Sequence, residues 1–256
     1  MPISKNGRPI TTLEEWQQLA PPKSAHHWVT GRSAKEVARA WLSATGLAYP
    51  SEVQAALAGH PKFGPLLSWD CEPEAKLPFD SFPGEPRNSD LLVSAVDSLG
   101  AYVLAVEAKA DETYGETVAD AFVAALERGI KNPRSNGIAR IQGLASFLFR
   151  ARADSPKVGG LRYQLLTACA GAAAEATRRR APRAVMLVHE FVTPLTQDIN
   201  HDRNTEDLLR FLHRLGGKSV EGFKGGQLYG PFSLPGAFGL ELYVGKVERN
   251  LRPGDA

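Results

Sequence analysis

The alternation of apolar and polar positions divides the chain into helical segments at its start, a pair of strands near its middle, and helices alternating with strands behind them. Residues 11–19, TTLEEWQQL, offer Thr11 or Thr12 as an N-cap and put Glu14 and Glu15 in the first turn, which predicts a short helix. Residues 33–46 predict a second: Ser33 and Glu36 stand at capping-box spacing, Val37, Ala40, Trp41 and Ala44 share one side, and Gly46 is the stop. Residues 51–59 repeat the pattern between Ser51 and Gly59. Residues 60–88 are rich in Pro, Gly and acidic residues and read as a long loop with one short strand near PLLSW.

Two aliphatic runs follow, 90–96 and 101–109, joined by Asp97-Ser98-Leu99-Gly100, and they predict an antiparallel hairpin. Residues 116–129 and 138–149 read as helices, and 161–180 as a long helix. The long one carries Leu161, Leu165, Ala168, Ala172 and Ala176 on one stripe, small enough to pack closely on a sheet. The continuous apolar run 182–192 is the signature of a strand buried on both faces. A further helix is expected over 205–217, capped by Thr205 and stopped by Gly216, and short strands over 218–249.

Composition narrows the class. With 256 residues, 43% hydrophobic and 23% charged, the expectation is one domain, 1–256, with a substantial core. No apolar run approaches the ~18 residues of a membrane span, and the first residues carry no apolar signal core. Cys71 and Cys169 form neither a metal-ligand pattern nor a disulfide framework. A cytoplasmic protein without a membrane partner is expected.

Net charge is only +2, but its distribution is uneven. Residues 51–120 hold 13 acidic and 4 basic residues, whereas 131–183 hold 11 basic and 2 acidic. Two readings stand: a cation site facing a phosphate-binding surface, or solvated faces that segregate by sequence block.

Several motifs fail on spacing. GGKS at 216–219 would need Gly at position 212, where Leu212 stands, and a strand before it. In VHEF, the second His of a zinc-protease pattern would fall at Thr193. His26 and His27 are adjacent, with no third ligand nearby, and read as a connector. His189 reads as a satisfied core or rim histidine.

One constellation remains. Glu107 and Lys109 lie two apart at the end of an apolar strand, hence on one face. Asp90 opens the preceding strand and is expected opposite roughly residue 107. Burying such charges together costs several kcal/mol per ion, on the order of what an uncompensated group pays. A divalent cation held by oxygen ligands, Mg²⁺ or Mn²⁺, would remove the conflict. The bland reading of Glu107 and Lys109, a salt bridge on a solvated edge, fits poorly with the aliphatic residues 102–106.

SDLLV, a turn, then VLAVEAK resembles the Asp…Glu-x-Lys signature of the PD-(D/E)XK nuclease superfamily, with Ser89 where a proline often precedes the acid. The resemblance covers roughly residues 33–192. It implies an α/β, restriction-endonuclease-like fold: a central mixed sheet flanked by helices, with an α-β-β-β-α-β core. The core would be 33–192, its first strand lying within 63–70. Residues 116–150 would be a helical insertion and 193–256 a β-rich C-terminal extension. The resemblance further implies Mg²⁺ or Mn²⁺ on Asp90 and Glu107, helped by the Ala108 carbonyl, with Lys109 at the attacking water and the scissile phosphate of DNA. Glu36 would be an accessory acid, or simply the capping-box residue its position suggests. Gln164 would sit near the metal, or be an exposed helix residue. Arg87, Arg162 and Arg178, Arg179 and Arg180 are candidates for phosphate contacts, and the last three equally complement a helix C-terminus. A nuclease is thus expected. A nuclease-like module with a decayed site and a phosphodiesterase on a small nucleotide are the alternatives, and a homodimer is left open.

Overall fold

The computed structural model describes residues 3–44, 48–151, 155–217 and 224–253. A small ribbon, β1 (Ser4–Lys5) with β2 (Arg8–Pro9), leads into helices α1 (Leu13–Leu19), α2 (Ser33–Leu42) and α3 (Ser51–Ala58). Three long strands follow, β3 (Leu66–Leu77), β4 (Arg87–Asp97) and β5 (Gly100–Lys109), then helices α4 (Val118–Lys131), α5 (Gly137–Leu148) and α6 (Tyr163–Arg178). Strand β6 (Arg183–Val192), helix α7 (Asp198–Gly216) and strands β7 (Gln227–Leu234) and β8 (Ala237–Asn250) complete the order. The fold is α/β: a six-stranded mixed sheet, ordered β3-β4-β5-β6-β8-β7, flanked by helices. β3, β4 and β5 form an antiparallel meander; β6 joins β5 in parallel, and β8 joins β6 in parallel.

The sheet separates two cores. Trp16, Val37, Trp41 and Val53 of α1–α3 pack on one face, where Trp41 stacks edge-on against Trp69 at 5.9 Å. The helices from α4 onward pack on the other. In α6 the stripe Leu165, Ala168, Ala172 and Ala176 is buried as its small residues predict. A Cβ on Gly171 would stand 3.2 Å from Leu77 Cβ, so that glycine lets the helix sit directly on β3. Along β5 the pleat sends Tyr102, Leu104, Val106 and Ala108 to the first core and Val103 and Ala105 to the second. Glu107 and Lys109 continue the second row, at the end of the strand where the apolar packing stops.

The sequence reading holds for the hairpin, for the turn at Asp97–Gly100 and for Thr12, one of the two expected N-caps of α1, which forms a capping box with Glu15. It needs correction elsewhere. The expected loop over 60–88 contains the twelve-residue β3, with 60–65 and 78–86 left as connections. Pro73 and three acidic residues masked a plain alternation in which Trp69, Cys71, Ala75 and Leu77 are buried. Proline is tolerated because β3 is an edge strand. Helix α7 begins at Asp198, two turns before Thr205, whose hydroxyl bonds the His201 carbonyl inside the helix at 3.1 Å. The polar run 198–204 has no apolar period that would announce it. Arg32 and Pro50 precede α2 and α3, so neither Ser33 nor Ser51 is an N-cap. The expected stop at Gly46 lies outside the described residues. The β-rich C-terminal part is no separate layer, since β8 extends the main sheet.

Candidate active site

The β4–β5 ladder pairs Leu92 with Ala105 and Leu91 with Val106. One residue further, the same register sets Asp90 across from Glu107. The Asp90 Oδ2 accepts the Ala108 N–H at 2.7 Å, which ties the start of β4 to the end of β5. Lys109 Nζ donates to Glu107 Oε1 at 3.0 Å. The three expected residues therefore meet at one end of the hairpin. Lys109 is buried, only 4% exposed, and not a solvated ammonium.

Burial pushes up the Asp90 carboxyl, and the neighbouring Glu107 and Glu74 add to it; Lys109 opposes them, and the carboxyl stays well above its usual range. Burial also raises Glu107, but Lys109 and then Arg87 outweigh it and hold that carboxyl below its usual value. For Lys109 burial works against the charged form, yet Glu107, Glu112 and Asp90 together hold the ammonium above its ordinary value.

Glu74 is the site residue that sequence reasoning missed. It lies on β3 between the pairs Pro73–Leu91 and Ala75–Ser89, hence beside Asp90. Its carboxyl accepts from Asn88 Nδ2. Burial raises it to about 7 against the pull of Lys5 and Lys76, with Glu107 adding to the rise. Glu74 also holds φ at +50°, a left-handed conformation that costs a non-glycine residue roughly 1 kcal/mol or more. Strained backbone at a cluster of carboxylates is typical of functional sites. The available signal was Glu74-Ala75-Lys76, which repeats the spacing of Glu107-Ala108-Lys109 inside a segment read as loop.

Of the accessory candidates, Gln164 joins the site. It occupies the first turn of α6 and donates through Nε2 to Glu107 Oε1. Glu36 does not: its Oε1 accepts from the Gly31 N–H at 2.7 Å and from Arg39 at 2.8 Å. It is also not a capping-box partner of Ser33, whose hydroxyl turns to Glu112.

Arg87 turns inward. One guanidinium nitrogen pairs with Glu107 Oε2, and the other donates to Thr167 Oγ1 at 3.0 Å. Arg162 is spoken for by Asp207 and the Gly115 carbonyl, each at 2.6 Å. Arg178 and Arg179 both pair with Glu175, and exposed Arg180 follows them. Fourteen residues of helix separate Arg178 from Gln164, about 21 Å, but Arg178 and Arg179 line a separate cleft together with Glu74 and Asn88. The two oppositely charged sequence blocks neutralise each other in part across the fold, through Arg140–Asp80 and Arg183–Asp97.

A cleft of about 390 Å³ opens beside Lys109 and Gln164, walled by Thr113, Tyr114, Tyr163 and Thr167. The first turn of α6 borders it, and helix N-termini favour anions such as phosphate. The Tyr114 hydroxyl is buried without a hydrogen-bond partner, and the Lys109 ammonium lies 5.5 Å from its ring centre.

A second polar cluster begins on the neighbouring strand, where Glu190, the register partner of Lys109, brings ligand atoms within 4.8 Å of those of His201 and Glu248. Lys246 is buried among them, its ammonium 2.5 Å from Glu190 and 3.0 Å from Glu248, with Thr205 at 2.7 Å. A cation position there is already filled by the chain's own lysine. Around Asp90 and Glu74 the carboxyls are instead pushed up, by burial first and by neighbouring carboxylates after it. Asp90, Glu74 and Glu107 offer oxygen donors of the kind a hard divalent cation takes, but their ligand atoms do not all come within 4.8 Å of one another as those of Glu190, His201 and Glu248 do. His189, on the opposite face, is fully buried and bonds Glu52 at 2.7 Å, a core histidine as expected.

The model of DUF6946, described as a domain of unknown function, matches residues 9–251. No curated protein and no solved structure matches the chain.

Proposed function

The chain belongs to the DUF6946 family, and we propose that it is a divalent-metal-dependent nuclease that hydrolyses phosphodiester bonds of DNA, with a restriction-endonuclease-like core. The observation that carries this reading is Asp90 beside both Glu107 and Glu74, with Lys109 hydrogen-bonded to Glu107. The order helix, three-stranded meander, helix, parallel strand in α2–β3–β4–β5–α6–β6 supports the fold assignment. On this reading helices α4 and α5, which lie within 116–150, are an insertion into that core.

Asp90, Glu74 and Glu107 would hold Mg²⁺ or Mn²⁺. When bound, the metal supplies Lewis-acid polarisation of the phosphate and neutralises its charge. Lys109, lining the cleft and hydrogen-bonded to Glu107, would present a positive charge and a hydrogen-bond donor to the phosphate and the attacking water. Gln164 and Lys109 together fix Glu107 Oε1. The first turn of α6 adds a partial positive charge to the floor of the cleft.

A module with a decayed site is the second reading, favoured by one observation: Arg87 takes Glu107 Oε2 while Lys109 and Gln164 take Oε1. Incubation with linear, nicked and single-stranded DNA separates the two. The nuclease cleaves at least one of them with Mg²⁺ or Mn²⁺ and stops with EDTA. The decayed module shifts DNA mobility and cleaves none.

A further inference from the structure

Helix α4 is apolar well beyond the part it buries. Val118, Ala121 and Ala125 face the core. Phe122, Leu126 and Ile130, each four residues apart, line an adjoining strip that is exposed, with Val123 beside it. Ile130 is 78% exposed and Val123 55%. Scattered apolar residues on a surface need no explanation, but four in register on one helix do.

The strip is self-complementary about Leu126. Phe122 and Ile130 are equidistant from it, and so are Val123 and Gly129. In an antiparallel pairing of two α4 helices on a two-fold axis at Leu126, Leu126 meets its own copy. Phe122 then meets Ile130, and Val123 meets Gly129. Gly129 is otherwise unexplained: it lies inside the helix, where glycine costs roughly 1 kcal/mol relative to alanine, and no atom stands within 4 Å of where its Cβ would be. A partner helix approaching closely opposite Val123 gives that glycine a role.

Charge agrees with the same arrangement. Glu116 and Asp120 lie at the start of the helix, and Lys131 and Arg134 at its end. Neither basic residue is in an ion pair among the described residues. Antiparallel pairing brings each acidic end against the partner's basic end, and isologous contacts of this kind are the usual basis of two-fold dimers. We infer that the α4 strip is the centre of a homodimer interface between two copies of this chain, with its two-fold axis at Leu126.

This inference is independent of the nuclease reading, and sedimentation of the full chain tests it. Small interfaces are weak, so a monomer–dimer equilibrium is expected over roughly 1–100 µM. Leu126→Glu should weaken association at least tenfold, as a buried charge at an interface centre would, with an unchanged thermal midpoint for the monomer. Leu126→Cys supplies the register. Cysteines facing each other on the axis form an intermolecular disulfide under mild oxidation, while Glu127→Cys, turned off the strip, does not. The native Cys71 and Cys169 are buried and give a low background. A chain that stays monomeric, a dimer unaffected by Leu126→Glu, or cross-linking at position 127 as fast as at 126 would each overturn the inference.

Discussion

Asp90 and Glu107 stand across from each other one residue beyond the Leu91–Val106 pair that ends the β4–β5 ladder, with the Asp90 carboxylate accepting the Ala108 N–H at 2.7 Å. The carboxyls differ in their compensation. Glu107 has Lys109, Arg87 and Gln164, whereas Asp90 has one backbone donor and two acidic neighbours. Asp90→Asn keeps the shape and the acceptor for Ala108 while removing the charge. It should raise the thermal midpoint in EDTA at pH 8 and abolish the rise that Mn²⁺ gives the wild type. Differential scanning fluorimetry with and without Mn²⁺ checks both.

Glu74 and Asp90 should contribute stability without metal that falls as pH rises. Glu74 is raised to about 7 and Asp90 stands well above its usual range, both above their values in an unfolded chain. Groups raised on folding favour the native state while protonated, below their unfolded values, and that contribution is lost as pH climbs through the folded values. The contribution of these two carboxyls should therefore decline between about pH 5 and pH 8, against an opposite contribution from His189 and His60, which burial lowers. Glu74→Gln should remove its part of that decline, and Mn²⁺ should restore more stability at pH 8 than at pH 6. A slope unchanged by Glu74→Gln would remove Glu74 from the cluster.

Arg87 is expected to matter most when metal is absent. Arg87→Ala strips Glu107 Oε2 of its partner in a buried setting, a loss of about 3 kcal/mol for a broken buried pair. Denaturant unfolding should show that loss in EDTA. Saturating Mn²⁺ should reduce it, because a bound cation compensates the same carboxylate. A loss that is the same in both conditions would mean that no cation reaches Glu107.

Much of this was legible because periodicity carries it. The turn at Asp97–Gly100 fixed the hairpin register, and the register alone put Asp90 opposite Glu107. The small residues of α6 foretold a helix lying close on the sheet, whereas the place of Gln164 beside Glu107 was one of two readings and came only from the family resemblance. What stayed hidden depends on tertiary context. Pro73 and the acidic residues around it masked β3, and with it Glu74, whose left-handed backbone no pattern announces. The arginines were read as a surface because sequence shows charge and not partners. Arg162 and Arg183 spend theirs on Asp207 and Asp97, far along the chain.

Lys109→Met compared with the wild type, in single-turnover cleavage beside Mn²⁺ calorimetry, tests the central claim most directly. The substitution removes the ammonium but leaves Glu107 paired to Arg87 and the carboxylates in place. The wild type should bind Mn²⁺ and cleave DNA. The variant should still bind Mn²⁺ and DNA and lose roughly 10²–10³ in cleavage rate, the size expected for one transition-state stabilising group. A wild type that gives no Mn²⁺ heat at pH 8 and cleaves no DNA, or a variant that cleaves as fast as the wild type, would contradict the account.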